Sequence, residues 1–327
     1  MAGASSSADD SRDVRLGFLS ALEGADPEAA HAVVEDLLSI AGISAVGGRT
    51  PSEIADRFLE QAALASGARG HDKAAETLSA YLALKADGAH VADSYEDALK
   101  GAESIHLALT ADDAVDAVLE AIVPHIPHDA IVIDHSTTLP RRTRHRAELM
   151  ASKGVAFLHA PVFMSPEACR NATGVMVVAG PEGVFHRAND ALIRMTGRVW
   201  YVGEAPDAAA TLKLCGNAMI VAMTAALADG HAIARNNGLS ADHVTELFQH
   251  FNPANTLKGR GRRMAEQDYE TQWSVRMARK DVGLMLEASG ERTLQILPAI
   301  AHCLEAHIAD GDGERDLAII GQPGTVA

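Results

Sequence analysis

Lys213 and Asn217 stand four residues apart, in a stretch rich in Ala, Leu and Met. That spacing puts both side chains on one helix face. A cation and an amide are costly to bury without partners. Two readings are open: a hydrogen bond between helices, or a proton donor with an orienting amide beside it. A lysine desolvated in a cleft has a depressed pKa and can act as general acid or base. Cys215 lies inside the same turn and reads as a small packing residue.

Three other segments carry polar groups where a sheet would present them. Asp134-His135-Ser136-Thr137-Thr138-Leu139-Pro140 follows the apolar run 130–133. Ligands of open α/β sheets bind at such carboxyl edges. The Ser136 and Thr137 hydroxyls either meet a ligand there or cap the helix opening near Arg141. Ala160-Pro161-Val162-Phe163-Met164-Ser165-Pro166 again follows an apolar run. Trp273 precedes Lys280-Asp281, whose side chains are expected on different sides of a helix and need not pair. Solvated surface charge is the alternative for that pair.

The elements that hold these residues follow from hydrophobic pattern. Short apolar runs at 14–19, 43–46, 89–92, 104–109, 130–133, 156–159, 174–179 and 199–202 read as strands. Helical stretches at 27–41, 112–123, 141–153 and 182–195 alternate with them. Alternation of this kind predicts a doubly wound α/β sheet. After Gly203 the pattern is helical only, at 207–236, 240–251, 256–266, 275–289 and 297–309. The expected organisation is a disordered acidic arm at 1–13, an α/β domain at 14–203 with a helical insertion near 51–87, and an all-α domain at 204–327.

Composition narrows the class. Apolar residues make up 47% of 327, enough for a sizeable core. The net charge of −16 argues against nucleic acid or an anionic membrane as main partner, since both reward a basic face. The three cysteines have no paired spacing, so no disulfide framework is expected and a cytoplasmic home is. The uncharged run 218–228 is too short for a membrane span. The fifteen histidines show no metal-ligand spacing. The arginines at 141, 142, 144 and 146, and at 260, 262 and 263, read as solvated faces. The second cluster has an alternative role in anchoring an anionic substrate or cofactor.

Taken together, Asp-x-Ser-Thr-x-x-Pro, Ala-Pro-Val, Gly203-x9-Lys213-x3-Asn217 and Lys280-Asp281 resemble the β-hydroxyacid dehydrogenase family. That family includes 3-hydroxyisobutyrate dehydrogenase and tartronate semialdehyde reductase and is related to 6-phosphogluconate dehydrogenase. The closing Asp316-Leu317-Ala318-Ile319 is similar to the family's Asp-Ser-Ala-Val. The resemblance implies a Rossmann domain, an all-α domain that builds a homodimer, and a small-molecule substrate. It implies Lys213 as acid/base and Asn217 as the orienting amide. Ser136 and Thr137 would lie near the nicotinamide, with Leu109 and Thr110 on the neighbouring loop and Lys280 also near the cofactor. Phe163, Met164, Ser165, Trp273 and Asp281 would face the substrate.

The chain departs from the family in three places. The first strand runs into Leu19-Ser20-Ala21-Leu22 where the family has Gly-x-Gly-x-x-Gly. Glycine there lets the backbone approach a pyrophosphate. Either the loop is remodelled and binds, or the chain is a non-catalytic dinucleotide-binding or scaffold relative. Gly48-Arg49-Thr50 follows the second strand, and Arg49 could pair with a 2′-phosphate, so NADP(H) is expected over NAD(H). Phe163-Met164-Ser165 replaces the family's Ser-Gly-Gly, which points to a more apolar substrate, with Ser165 taking over the hydroxyl role. An imine-reducing relative ranks below both readings, because such proteins usually lack lysine at the position of Lys213.

Overall fold

The computed structural model describes Ala92 and residues 94–322. Leu19, Ser20, Ala21, Leu22, Arg49 and Thr50 lie outside the described residues, as do the arm at 1–13, the expected strands 14–19 and 43–46, the helix 27–41 and the stretch 51–87. Elements are numbered within the described part. The chain divides into two compact units at Asp207 and Ala208.

The first unit begins with the short helix α1 (Tyr95–Leu99) and strand β1 (Ser104–Leu107). Helix α2 (Asp112–Ile122), strand β2 (Ile131–Asp134), helix α3 (Pro140–Ser152) and strand β3 (Ala156–His159) follow. The three strands are parallel in the order β1-β2-β3, with Leu107, Asp134 and His159 in register at their carboxyl ends. All four residues of β2 are buried, as the central strand of a sheet covered on both faces requires. Alternation along the strand sends Val132 to a core with Val115, Leu119, Met150 and Phe157. It sends Ile131 and Ile133 to a second core with Leu158, Met176 and Leu192.

After β3 the sheet changes direction. Strand β4 (Val162–Phe163) runs antiparallel to β5 (Val175–Val178), and β5 is parallel to β6 (Arg198–Tyr201). An antiparallel bridge between His159 and Ala179 joins the two halves. The sheet is therefore mixed beyond β3. The reason is the short link: only the five-residue helix α4 (Pro166–Arg170) lies between β4 and β5. A parallel return needs a crossover of a dozen or more residues. Helix α5 (Glu182–Met195) provides one, and β6 accordingly lies parallel to β5.

Of the arginines of α3, Arg141 and Arg144 are exposed as expected, but Arg146 and Arg142 are drawn into ion pairs. Arg146 is 2% exposed and bonds Asp112 at 2.6 Å and also Asp116. Arg142 reaches Asp113 at 2.7 Å and Asp116, while Arg144 pairs with Asp207 at 2.5 Å. The pairs of Arg142 and Arg146 fasten α3 to α2, and that of Arg144 ties α3 to the end of the unit.

The second unit is helical throughout its elements. It comprises α6 (Ala208–Asn236), α7 (Ala241–His250), α8 (Ala254–Glu266), α9 (Val275–Ala288) and α10 (Leu297–Ala309). A 3-10 turn (Leu317–Gly321) follows. Helices α9 and α10 pack around Val275, Val282, Ala301, Leu304 and Ile319. Two buried carboxylates hold loops in this unit. Asp229 of α6 accepts the N–H groups of Ile296 and Leu297 at 3.0 Å each, which satisfies donors at the start of α10. Asp316 accepts the N–H groups of Gln272 and Trp273 at 3.0 Å and of Ala318 at 2.9 Å. The Arg260 guanidinium completes its shell at 3.0 Å.

Candidate active site

The loops that leave β1, β2 and β3 meet at the carboxyl edge of the parallel strands. Three consecutive residues at the end of β2 brace that edge. Asp134 is wholly buried, and its Oδ1 accepts the Ser136 N–H at 2.9 Å. Ser136, 3% exposed, accepts the Leu109 N–H on Oγ at 2.9 Å. The loops after β1 and β2 are thereby tied together. Thr110 and Thr137 are exposed on the same two loops.

Neither Ser136 nor Thr137 caps α3, so the capping alternative does not hold. The cap residue is Leu139, without a side-chain bond, and Pro140 occupies the first turn. Thr138 instead bonds Thr143 at 2.8 Å.

Two histidines enter the edge from β2 and β3. His159 is wholly buried with Nδ1 at 3.5 Å from Asp134 Oδ2, an electrostatic contact longer than a good hydrogen bond. Burial pushes the Asp134 carboxyl up, but His159 and the bonds from Ser136 outweigh it and hold the group below the usual carboxylate value. His135 places Nδ1 at 2.7 Å from the Ala160 carbonyl. His106 lies at 2.9 Å from His135 Nε2, with the two rings stacked at 5.2 Å.

The segment after β3 carries the expected substrate residues. Phe163 and Met164 are half-buried, and Ser165 is exposed. Met164 lies over Gly174, where an added Cβ would sit 2.5 Å from Met164 Cγ and 2.8 Å from the Phe163 carbonyl. Gly174 also has φ +95°, so this close approach requires glycine. Ser165 caps α4 by accepting the Ala168 N–H at 3.1 Å. Only its hydroxyl proton is left for a ligand.

In the second unit Lys213 and Asn217 are both half-buried, one turn apart on α6. Burial draws the Lys213 ammonium below the ordinary lysine pKa. Trp273 is 37% exposed, and the Arg260 guanidinium lies 5.4 Å over its ring. Arg260 is thus engaged by Trp273 and Asp316. Lys280 and Asp281, which helix position alone does not require to pair, do pair at 2.8 Å. The four-carbon stem lets the ammonium swing back to its neighbour. Both side chains are partly exposed, so the pair is worth little to stability.

The structure thus gathers Leu109, Thr110, Ser136 and Thr137 at one edge, with Phe163, Met164 and Ser165 on the next segment. Within the second unit it sets Lys213 beside Asn217, and places Trp273 just ahead of the helix bearing Lys280 and Asp281. Sequence reading missed His135 and His159 as braces. The visible signal is a histidine closing the run 156–159 and another just past the run 130–133.

Known proteins resemble this arrangement. Residues 68–203 match the family described as the NAD-binding domain of 6-phosphogluconate dehydrogenase. Residues 207–322 match that described as the NAD-binding region of NADP-dependent 3-hydroxyisobutyrate dehydrogenase. The 3-hydroxyisobutyrate dehydrogenase of Pseudomonas aeruginosa is 28% identical over 251 residues, covering 72% of this chain and 83% of that protein. The NAD-dependent L-serine dehydrogenase of the same organism is 25% identical, covering 74% and 85%. Among solved structures, an imine reductase from Myxococcus stipitatus in complex with NADP+ superposes with a TM-score of 0.67 at 18% identity, covering 76% and 87%. That likeness shows a shared fold.

Proposed function

We propose a reaction for this chain from one premise: it belongs to the β-hydroxyacid dehydrogenase family and is an NAD(P)-dependent oxidoreductase. The reaction interconverts a small hydroxy compound and its carbonyl, with Lys213 as acid/base and Asn217 orienting the reacting oxygen. The observation that carries this reading is the half-buried Lys213 with a lowered pKa, one turn from Asn217 on the same helix face.

The described edge fits the nicotinamide half of a dinucleotide. Thr110 and Thr137 offer exposed hydroxyls on the two loops that Ser136 ties together. Leu109, Thr110, Ser136 and Thr137 would hold that half, and Lys280 would supply positive charge. When bound, the dinucleotide gives or takes the hydride. Lys213 gives a proton to the carbonyl oxygen in reduction and takes it from the hydroxyl in oxidation. Its charge also stabilises the developing alkoxide. A lowered lysine pKa brings the proton affinity of the acid/base closer to neutrality, where such transfer is most efficient. Phe163 and Met164 give the substrate segment an apolar lining suited to a substrate more apolar than a simple hydroxy acid.

Fluorescence titration with NADPH and with NADH tests the cofactor. Micromolar binding is expected, tighter for NADPH by about tenfold if Arg49 pairs with the 2′-phosphate. A panel of 3-hydroxyisobutyrate, L-serine, L-threonate, glyoxylate, succinic semialdehyde and a cyclic imine then tests the substrate class. Absence of dinucleotide binding up to millimolar would favour a non-catalytic scaffold. Turnover of the imine alone would favour imine reduction, the activity named for the structural neighbours.

The partner proposed for α6 is a second copy of the chain. Met219, Ile220, Val221 and Met223 are 41–69% exposed along it. The helix is long and apolar enough to cross a membrane by length and composition, with 6% of its apolar window buried. A protein partner fits better, because Asp229 on the same helix is clamped to the start of α10. Light scattering is expected to give a dimer mass, and Val221→Glu a monomer. A monomeric wild type, or wild type that floats with phospholipid vesicles, would contradict this assignment.

A further inference from the structure

We infer that His135 is a positioning residue for the segment 160–165, acting through the carbonyl of Ala160, which fixes its tautomer, and supported from behind by His106. The proposal rests on the reaction reading above only in its claim about substrate.

Ala160 is where the chain leaves the parallel sheet. Its N–H still donates to the Asp134 carbonyl at 2.7 Å. Pro161 has no N–H to continue the ladder, and its carbonyl accepts the Val177 N–H at 3.0 Å from the antiparallel side. His135 Nδ1 reaches the Ala160 carbonyl at 2.7 Å. The end of β2 thus grips the Ala160 residue by its N–H and its C=O at once. His135 is itself fixed by its own N–H, which donates to the Leu107 carbonyl at 2.8 Å.

Acceptor chemistry sets the direction of the bonds. A carbonyl only accepts, so His135 Nδ1 carries the proton. In the neutral ring Nε2 then accepts, and His106 Nδ1 donates to it across 2.9 Å. His106 Nε2 in turn accepts from Ser104 Oγ at 3.2 Å. The chain Ser104, His106, His135, Ala160 therefore runs one way, from β1 across β2 to the turn that leads into Phe163, Met164 and Ser165. Among the described residues, the titratable groups facing His135 are His106 from β1, Asp134 from β2 and His159 from β3. Burial dominates and holds both His135 and His106 below the ordinary histidine pKa. A second proton, on His135 Nε2, is met by the other tautomer of His106, whose Nδ1 then accepts while its Nε2 donates to Ser104 Oγ, and the Nδ1 bond to Ala160 is kept.

Three variants of the full-length protein test this. His135→Leu fills the space without a donor. His135→Asn keeps an amide N–H near the place of Nδ1. His106→Phe keeps an aromatic ring at an exposed site and removes the donor to Nε2. Amide hydrogen exchange of peptides covering 160–166 is the readout that needs no turnover, with a peptide of β2 as control. His135→Leu is expected to speed exchange there about tenfold, and His135→Asn to restore it within about twofold. His106→Phe is expected to fall between, at about threefold. With the best panel substrate, His135→Leu raises KM about tenfold while kcat and NADPH affinity stay within about twofold. Unchanged exchange in both His135→Leu and His106→Phe would overturn the proposal, as would His135→Asn matching His135→Leu. An inert wild type with the exchange pattern intact would sink the reaction reading alone.

Discussion

Lys213→Met is expected to lower kcat by about 10²–10⁴-fold, the usual contribution of a positioned acid or base. NADPH affinity should stay within about twofold, because the cofactor residues named above do not include Lys213. The fold should not suffer. Met is a good helix former of similar length, and α6 already presents an apolar surface around this position. The sign of the pKa shift supports the same point. Burial lowers the folded-state pKa of Lys213, so folding disfavours its charged form at neutral pH. A thermal melt of Lys213→Met checks that the fold is kept while turnover falls. The shift also fixes the pH profile: oxidation, which needs the neutral amine, weakens as pH falls below the lowered pKa. Reduction, which needs the ammonium, weakens as pH rises above it. Stopped-flow and steady-state assays, with a thermal melt, read all of these. Turnover within about twofold of wild type would remove Lys213 from the chemistry.

Asp316→Ala is expected to be the most damaging single change to stability in the helical unit. It strands three backbone N–H donors and the Arg260 guanidinium around a site that is 1% exposed. Breaking a buried, hydrogen-bonded charge in this way costs about 3–5 kcal/mol. That lowers Tm by on the order of 10 °C for a unit of this size. Trp273 and the start of α9 lose their tether together, so tryptophan fluorescence should report the change. Burial alone would raise the Asp316 carboxyl, but the N–H groups and Arg260 hold it below the ordinary aspartate value. Asp229 shares this direction through the N–H groups of Gln295, Leu297 and Ile296. For a carboxyl depressed on folding, the stability is present above its unfolded pKa of about 4 and is lost as pH falls through the folded value. Melts from pH 7 to pH 3 should therefore steepen below about pH 4, and less so in Asp316→Asn. Equal Tm for Asp316→Ala and wild type would refute the clamp.

Much of this architecture is legible in the chain because its signals are local. The run at 156–159 becomes β3 with the same bounds, and 182–195 and 297–309 become α5 and α10. Each has a complete hydrophobic period and a clear stop. The two-residue strand β4 and the five-residue α4 carry too few residues to show a period, and with them the antiparallel return goes unseen. Side-chain partners are harder still. Asp316 and Asp229 look like ordinary acidic residues until tertiary contacts bring 43–68 residues of separation to hydrogen-bond distance. Lys280 and Asp281 pair because a flexible stem defeats an argument based on helix angle alone. Ser136 stands at the sheet edge because it follows β2, yet its bond to Leu109 depends on the neighbouring strand.

The most direct test of the central claim is to follow deuterium from C4 of labelled NADPH, and separately NADH, into the product of a carbonyl reduction. Glyoxylate and succinic semialdehyde are the first substrates to use. The account predicts label on the former carbonyl carbon with wild type, and at least a hundredfold slower transfer with Lys213→Met, about the lower bound for a lost acid/base. No transfer to any hydroxy-acid partner of the panel, from a protein that is folded and binds the dinucleotide, would contradict it.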